Sequence, residues 1–211
     1  MTTAPTQTRP RRFSMIRSFV LADFLTLGNG FCGAGSILAL MQYLISREHG
    51  WLAAAFALSP IALFFDFADG RVARWRRASS SLGADLDSLA DVISFGVAPA
   101  ALGFAVGLRG SLDAVVLLYF VACGISRLAR FNATADELAD ESGKVKYFEG
   151  TPIPTSVLIV LGLWVMDANG LLGEHFLWGQ WATPLGRLHP FSLVYLLSGS
   201  AMISTWRIPK I

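Results

Sequence analysis

Four aspartates in one short stretch have the residue type and spacing for metal-assisted chemistry. The stretch is DFADGRVARWRRASSSLGADLDSLAD, residues 66–91, with five aspartates and four arginines between apolar flanks. Asp66, Asp69, Gly70, Ala73 and Arg74 fall at i, i+3, i+4, i+7 and i+8, which is one face of a helix. Gly83, Asp87 and Asp91 fall at i, i+4 and i+8, one face of a second helix; Asp85 falls off that face and reads as solvated or capping. If the two helices are antiparallel neighbours, four carboxylates meet near membrane depth, which is costly unless relieved. Protonation relieves one or two of them, Arg74 can pair with one, and a divalent cation relieves all four together. Only oxygen ligands are on offer, with no His or Cys in the stretch, which favours Mg²⁺ or Mn²⁺ over Zn²⁺. Gly70, Ala73 and Gly83 leave room beside the acids for a bulky anion, and phosphates are the usual second partner of carboxylate-bound Mg²⁺. Two other readings stay open. One is an ion-pair network with Arg71, Arg74, Arg76 and Arg77. The other is the acidic site of a membrane cation transporter, against which the later helices offer no second acidic cluster along a path.

The elements that must position these residues are membrane helices. Of 211 residues, 54% are hydrophobic and 15% charged, with a mean hydropathy of +0.53; a soluble domain carries about 25% charged residues. Apolar runs predict six spans, at about 23–45, 51–74, 83–108, 112–130, from TPIP to near 172, and 191–205. With the N-terminus in the cytoplasm, fourteen of the seventeen lysines and arginines collect on the cytoplasmic side, and Arg47, Arg109 and Arg187 fall on the other. The expected fold is therefore an all-α integral membrane protein of the inner (cytoplasmic) membrane, with six transmembrane helices and both termini in the cytoplasm. RRFSMIRSF reads as a short amphipathic helix on the inner leaflet or, equally, as a topology signal. The expected division is a tail and juxtamembrane segment at 1–18, a six-helix domain at 19–206, and a short tail at 207–211. Cys32 and Cys123 lie in apolar runs and read as packing residues. No internal repeat and no cleavable signal peptide are read. The aspartates then occupy the cytoplasmic ends of the second and third spans and the turn between them.

The pattern D-x2-D-G-x2-A-R-x8-G-x3-D-x3-D, from Asp66 to Asp91, resembles the signature of the CDP-alcohol phosphotransferase family at all eight of its positions. The resemblance implies a six-helix membrane enzyme, commonly a homodimer, with its active site open to the cytoplasm. It implies two divalent ions held by Asp66, Asp69, Asp87 and Asp91, and a CDP moiety held by Asp66, Asp69, Gly70, Ala73, Arg74 and Gly83. It also implies Asp91 as the general base that takes a proton from the acceptor alcohol.

The acceptor is not set by that signature. LTLGNGFCG, LDSLADVISFGVAPA, SRLARFNA and YFEGTPIPTS resemble the serine-accepting branch of the family, which uses CDP-diacylglycerol and L-serine. Thr151 departs from that branch, where an apolar or small residue is expected. Arg127 and Arg130 can hold a serine carboxylate bidentately, and Asn132 and Glu149 can face the ammonium group. The same arginines suit glycerol 3-phosphate or an inositol phosphate, whereas choline prefers an aromatic cage. Asn29 is a possible CDP or metal contact or a helix-packing amide. The polar, acidic stretch 133–150 reads as a connector or as a cover over the acceptor pocket. Membrane lipids are expected partners and nucleic acid is not.

Overall fold

The computed structural model describes residues 21–76, 81–138, 147–173, 176, 178–184, 186–205 and 207–209. Two long helices open it, α1 (Leu21–Ser46) and α2 (His49–Arg76). α3 (Ser81–Asp91) runs through a π-helical segment (Val92–Val97) into α4 (Ala98–Val106), so that three elements make one span. α5 covers Ser111–Leu138, α6 Val157–Ala168 and α7 Ser192–Met202. At 1.5 Å per residue α1 is about 39 Å long, more than a hydrocarbon core of about 30 Å.

Four helical stretches are long and apolar enough to cross a membrane: Ala22–Ser46, His49–Val72, Gly83–Val106 and Ser111–Ala133. The other two expected spans appear as shorter apolar helices, Ile153–Ala168 and Ser192–Met202. Local chemistry sets their ends. Pro152 and Pro154 hold a single 3-10 turn, Ile153–Ser156, ahead of α6. Gly170, at φ 67°, turns the chain away just beyond α6.

The helical expectation holds for most of the described residues, with two short ribbons beside the helices. Strand β1 (Tyr147–Glu149) pairs antiparallel with β4 (Arg207–Pro209), and β2 (Trp181–Thr183) with β3 (Gly186–Leu188). Residues 207–209, read as part of a plain tail, are therefore strand. The RRFSMIRSF segment lies outside the described residues, as do Arg77, Lys144 and Lys146.

Small and polar residues let the helices approach. Ser36 Oγ donates to the Ala55 carbonyl at 3.1 Å, joining α1 to α2. Gly33 faces the π segment so closely that a Cβ there would stand 2.6 Å from Ser94 Cα. Pro99 has no N–H to give to the helix, and just before it the ladder widens, with Ala98 N–H reaching back to Ile93 O. The Tyr195 hydroxyl on α7 donates to Pro99 O at 2.8 Å, and Tyr195 stacks edge-on against Phe120 of α5 at 5.3 Å. Gly103 makes room for that phenol, since a Cβ would lie 2.8 Å from its oxygen.

At the far end of the bundle one fully buried carboxylate ties a loop to a helix start. Asp113 accepts from Gly110 N–H at 2.8 Å, in the manner of a capping box. It also accepts from His189 N–H at 2.8 Å and from His189 Nδ1 at 2.6 Å. A carboxylate only accepts, so Nδ1 carries the proton. Asp113→Ala strands these donors and should cost about 3 kcal/mol. That corresponds to a fall of about 10 °C in the thermal midpoint of the micelle-held protein. An unchanged midpoint would show that the loop is held by other contacts.

Candidate active site

α2 and α3 bring the expected acids together. The carboxylates of Asp66, Asp69 and Asp87 each offer an oxygen within 4.8 Å of the others. Asp69 and Asp91 are buried, and Asp91 stands one turn beyond Asp87, within electrostatic reach of Asp66, Asp87 and Asp69. Asp85 is exposed, as its place off the helix face required. Arg71 is exposed and its guanidinium lies 5.5 Å from the Phe67 ring centroid. Among the described residues no salt bridge joins an arginine to these aspartates; the Arg74 and Arg76 side chains and Arg77, the other members of an ion-pair network, lie outside the described residues.

α1 forms the third wall. Thr26 Oγ1 lies 2.8 Å from Asp69 Oδ2 and 3.2 Å from its own helix carbonyl at Ala22; its single hydrogen serves the shorter contact. Asn29, fully buried, donates from Nδ2 to Asp91 Oδ1 at 3.0 Å. Ser94 Oγ donates to Asn29 O at 2.8 Å, fixing α1 against the π segment directly after Asp91. Sequence reasoning singled out Asn29 and missed Thr26, Ser94 and Ser88. The available signal was spacing: Thr26 and Asn29 are one turn apart in a mainly apolar helix.

The site suits a hard divalent cation. Asp87 Oδ1 and Asn29 Oδ1 are buried with no hydrogen-bond partner among the described residues. Three nearby carboxylates with an orphaned acceptor oxygen are a negative, all-oxygen donor set, the kind that Mg²⁺ or Mn²⁺ takes. Gly70 lies on α2 between the acids and the helix end, and Gly83 in the first turn of α3. Ala73 and Arg74 continue α2, and their side chains lie outside the described residues.

The expected acceptor residues divide. Arg127 is 8% exposed, its Nε has no partner among the described residues, and its charge acts on Asp91. Arg130 donates to Ser204 O at 3.4 Å. Both line a cavity of about 400 Å³ with Tyr119, Ser126 and Ile203. Asn132 is exposed and donates to Ser88 Oγ at 2.9 Å, a brace between α5 and α3. Glu149 lies on β1, and its side chain is outside the described residues.

Comparison with known proteins gives the geometry its context. The chain is 43% identical over 202 residues to the CDP-diacylglycerol–serine O-phosphatidyltransferase of Saccharomyces cerevisiae, covering 94% of this chain and 73% of the relative. The Methanocaldococcus jannaschii protein of the same name is 31% identical over 198 residues, 94% of this chain and 78% of that one. The Mycobacterium leprae protein, also of that name, is 31% identical over 202 residues, 95% of this chain and 61% of its own length. Residues 19–186 match the CDP-alcohol phosphatidyltransferase family, and this span holds every aspartate of the cluster. The chain belongs to the CDP-alcohol phosphatidyltransferase family.

Proposed function

We propose that the protein transfers the phosphatidyl group of CDP-diacylglycerol to L-serine, giving phosphatidylserine and CMP. The observation that carries the chemistry is the trio of carboxylates within 4.8 Å on two facing helices, with Asp91 buried beside them. Serine as acceptor is supported by the relatives that share the name CDP-diacylglycerol–serine O-phosphatidyltransferase.

In this reading the serine hydroxyl oxygen bonds to the β-phosphorus. The bond from that phosphorus to the bridging oxygen of CMP breaks, and CMP leaves with the electron pair. The hydroxyl proton passes to Asp91, whose carboxylate Asn29 holds in place. Two divalent ions, Mg²⁺ or Mn²⁺, held by Asp66, Asp69, Asp87 and Asp91, would neutralise the pyrophosphate and the departing phosphate. Gly70, Ala73, Arg74 and Gly83 accommodate the CDP moiety. Arg127 and Arg130 hold the serine carboxylate from the cavity they line, beside Asp91. Holding both substrates at one site supplies the remaining advantage by proximity. The same reading keeps six membrane passes, an inner-membrane location, a cytoplasmic site and a homodimer.

Purified protein given labelled serine, CDP-diacylglycerol and Mg²⁺ or Mn²⁺ should form labelled phosphatidylserine and an equal amount of CMP. Product with glycerol 3-phosphate, an inositol phosphate or choline instead would move the acceptor and keep the chemistry; no CMP with any alcohol would defeat both. In the same assay Asp91→Asn should lower turnover by about 10²–10⁴-fold, the usual contribution of a general base, while leaving much of the CDP-lipid binding. Arg130→Ala should raise the serine KM about tenfold or more and disturb CDP-lipid affinity less, because a charge-assisted contact is lost on one substrate only. Equal damage to both substrates would make Arg130 part of the scaffold.

A further inference from the structure

A second cavity, of about 210 Å³, opens at the other end of the bundle. Tyr43 and Arg47 at the end of α1, Gly107 and Arg109 after α4, and Asp167 near the end of α6 line it. Tyr43 is seventeen residues beyond Thr26 on one helix, which places the cavity about 25 Å from the aspartate site. The two sites therefore lie near opposite faces of a membrane.

Its cations call for a reason. Charge counting leaves this side of the protein poor in lysine and arginine, with Arg47, Arg109 and Arg187 alone. Two of the three meet in one cavity. Arg47 also ends α1 in the left-handed conformation, φ 61°, with its N–H on Tyr43 O at 2.8 Å. Glycine adopts that conformation freely and arginine does so at a cost of about 1 kcal/mol or more. A strained backbone at a charged side chain points to a task for the side chain. Arg109 donates from Nε to Phe104 O at 3.1 Å and from Nη2 to Ala105 O at 2.7 Å. Those two bonds fix its guanidinium over the end of α4 and leave further N–H groups to donate.

The surroundings are lipid-like. Phe104, 43% exposed, lies 5.9 Å below the Arg109 guanidinium. Charged side chains at the rim with bare apolar surface beside them match a headgroup above acyl chains. Asp167 is engaged by His49 Nε2 at 3.2 Å, and the two arginines against this single carboxylate leave the lining net positive. That balance suits the single negative charge of a phosphodiester.

We propose that this cavity binds the phosphodiester of a phospholipid headgroup in the leaflet opposite the aspartate site. Arg47 and Arg109 hold the phosphate, and an acyl chain lies along Phe104. The site stands apart from the catalytic reading and does not depend on it.

The test uses the full-length protein in a phosphate-free sugar detergent. It is exposed to a phosphatidylglycerol with a photoreactive headgroup, and to the matching photoreactive diacylglycerol, followed by peptide mapping. The phospholipid should label residues 43–47 and 105–109. Arg47→Gln should lower that labelling about tenfold, as loss of a charge-assisted hydrogen bond does. Arg47→Lys should keep most of it, and an unchanged thermal midpoint of each variant shows that it is folded. Equal labelling by the diacylglycerol, or unchanged labelling of the folded Arg47→Gln protein, would overturn the proposal. Displacement by inorganic phosphate at the lipid's own concentration would assign the cavity to free phosphate and overturn it too.

Discussion

Asp66, Asp69 and Asp87 hold negative charge within 4.8 Å in a bundle with few donors, and the surrounding structure answers to that repulsion. Two unit charges at about 4.8 Å repel by about 3.5 kcal/mol at an effective dielectric of about 20. The cluster is tolerable only if some of its members are protonated or if donors, a nearby cation or bound metal surround it. α1 supplies the donors through Thr26 and Asn29, and α5 brings the buried Arg127 within reach of Asp91. What remains is an orphaned oxygen on Asp87 and an acid-rich space, which a divalent cation and the phosphates it carries would complete.

Such a site demands rigid walls, and the packing supplies them with small residues and a break in helix register. Gly33 lets α1 lie directly on Ser94, so the serine can bind the Asn29 carbonyl and hold the helix that orients Asp91. The π segment begins at the residue after Asp91, and widened turns of this kind recur where helices carry function. Tyr195 closes the chain of contacts from α7 to Pro99, placing the later helices against the same span. The span that carries Asp87 and Asp91 is thereby held by α1 and α7 together.

The acids were legible because helical spacing is a property of sequence: Asp66 and Asp69 on one face, Asp87 and Asp91 on another, with Asp85 left outside and found exposed. The long helices were legible from apolar runs matched to membrane thickness. Ser94 and Ser88 were not, because a serine hydroxyl in a helix gives no sign of which neighbour it will meet, and for Thr26 the spacing from Asn29 gave a face but no partner. The β1–β4 ribbon was hidden for a related reason, since Phe148 and Ile208 pair across sixty residues of chain in strands too short to show alternation. Asn132 read as a binding residue from its place near two arginines, and its partner on α3 appears only once the helices are packed.

Asp66, Asp69, Asp87 and Asp91 are proposed to hold two divalent ions between them. Titration of the full-length protein with Mn²⁺, followed by electron paramagnetic resonance of the free ion, tests it directly. Saturable uptake that Mg²⁺ displaces, weakened about tenfold or more by Asp87→Asn, is the predicted result. Uptake that never saturates, or an affinity that Asp87→Asn leaves unchanged, would contradict it.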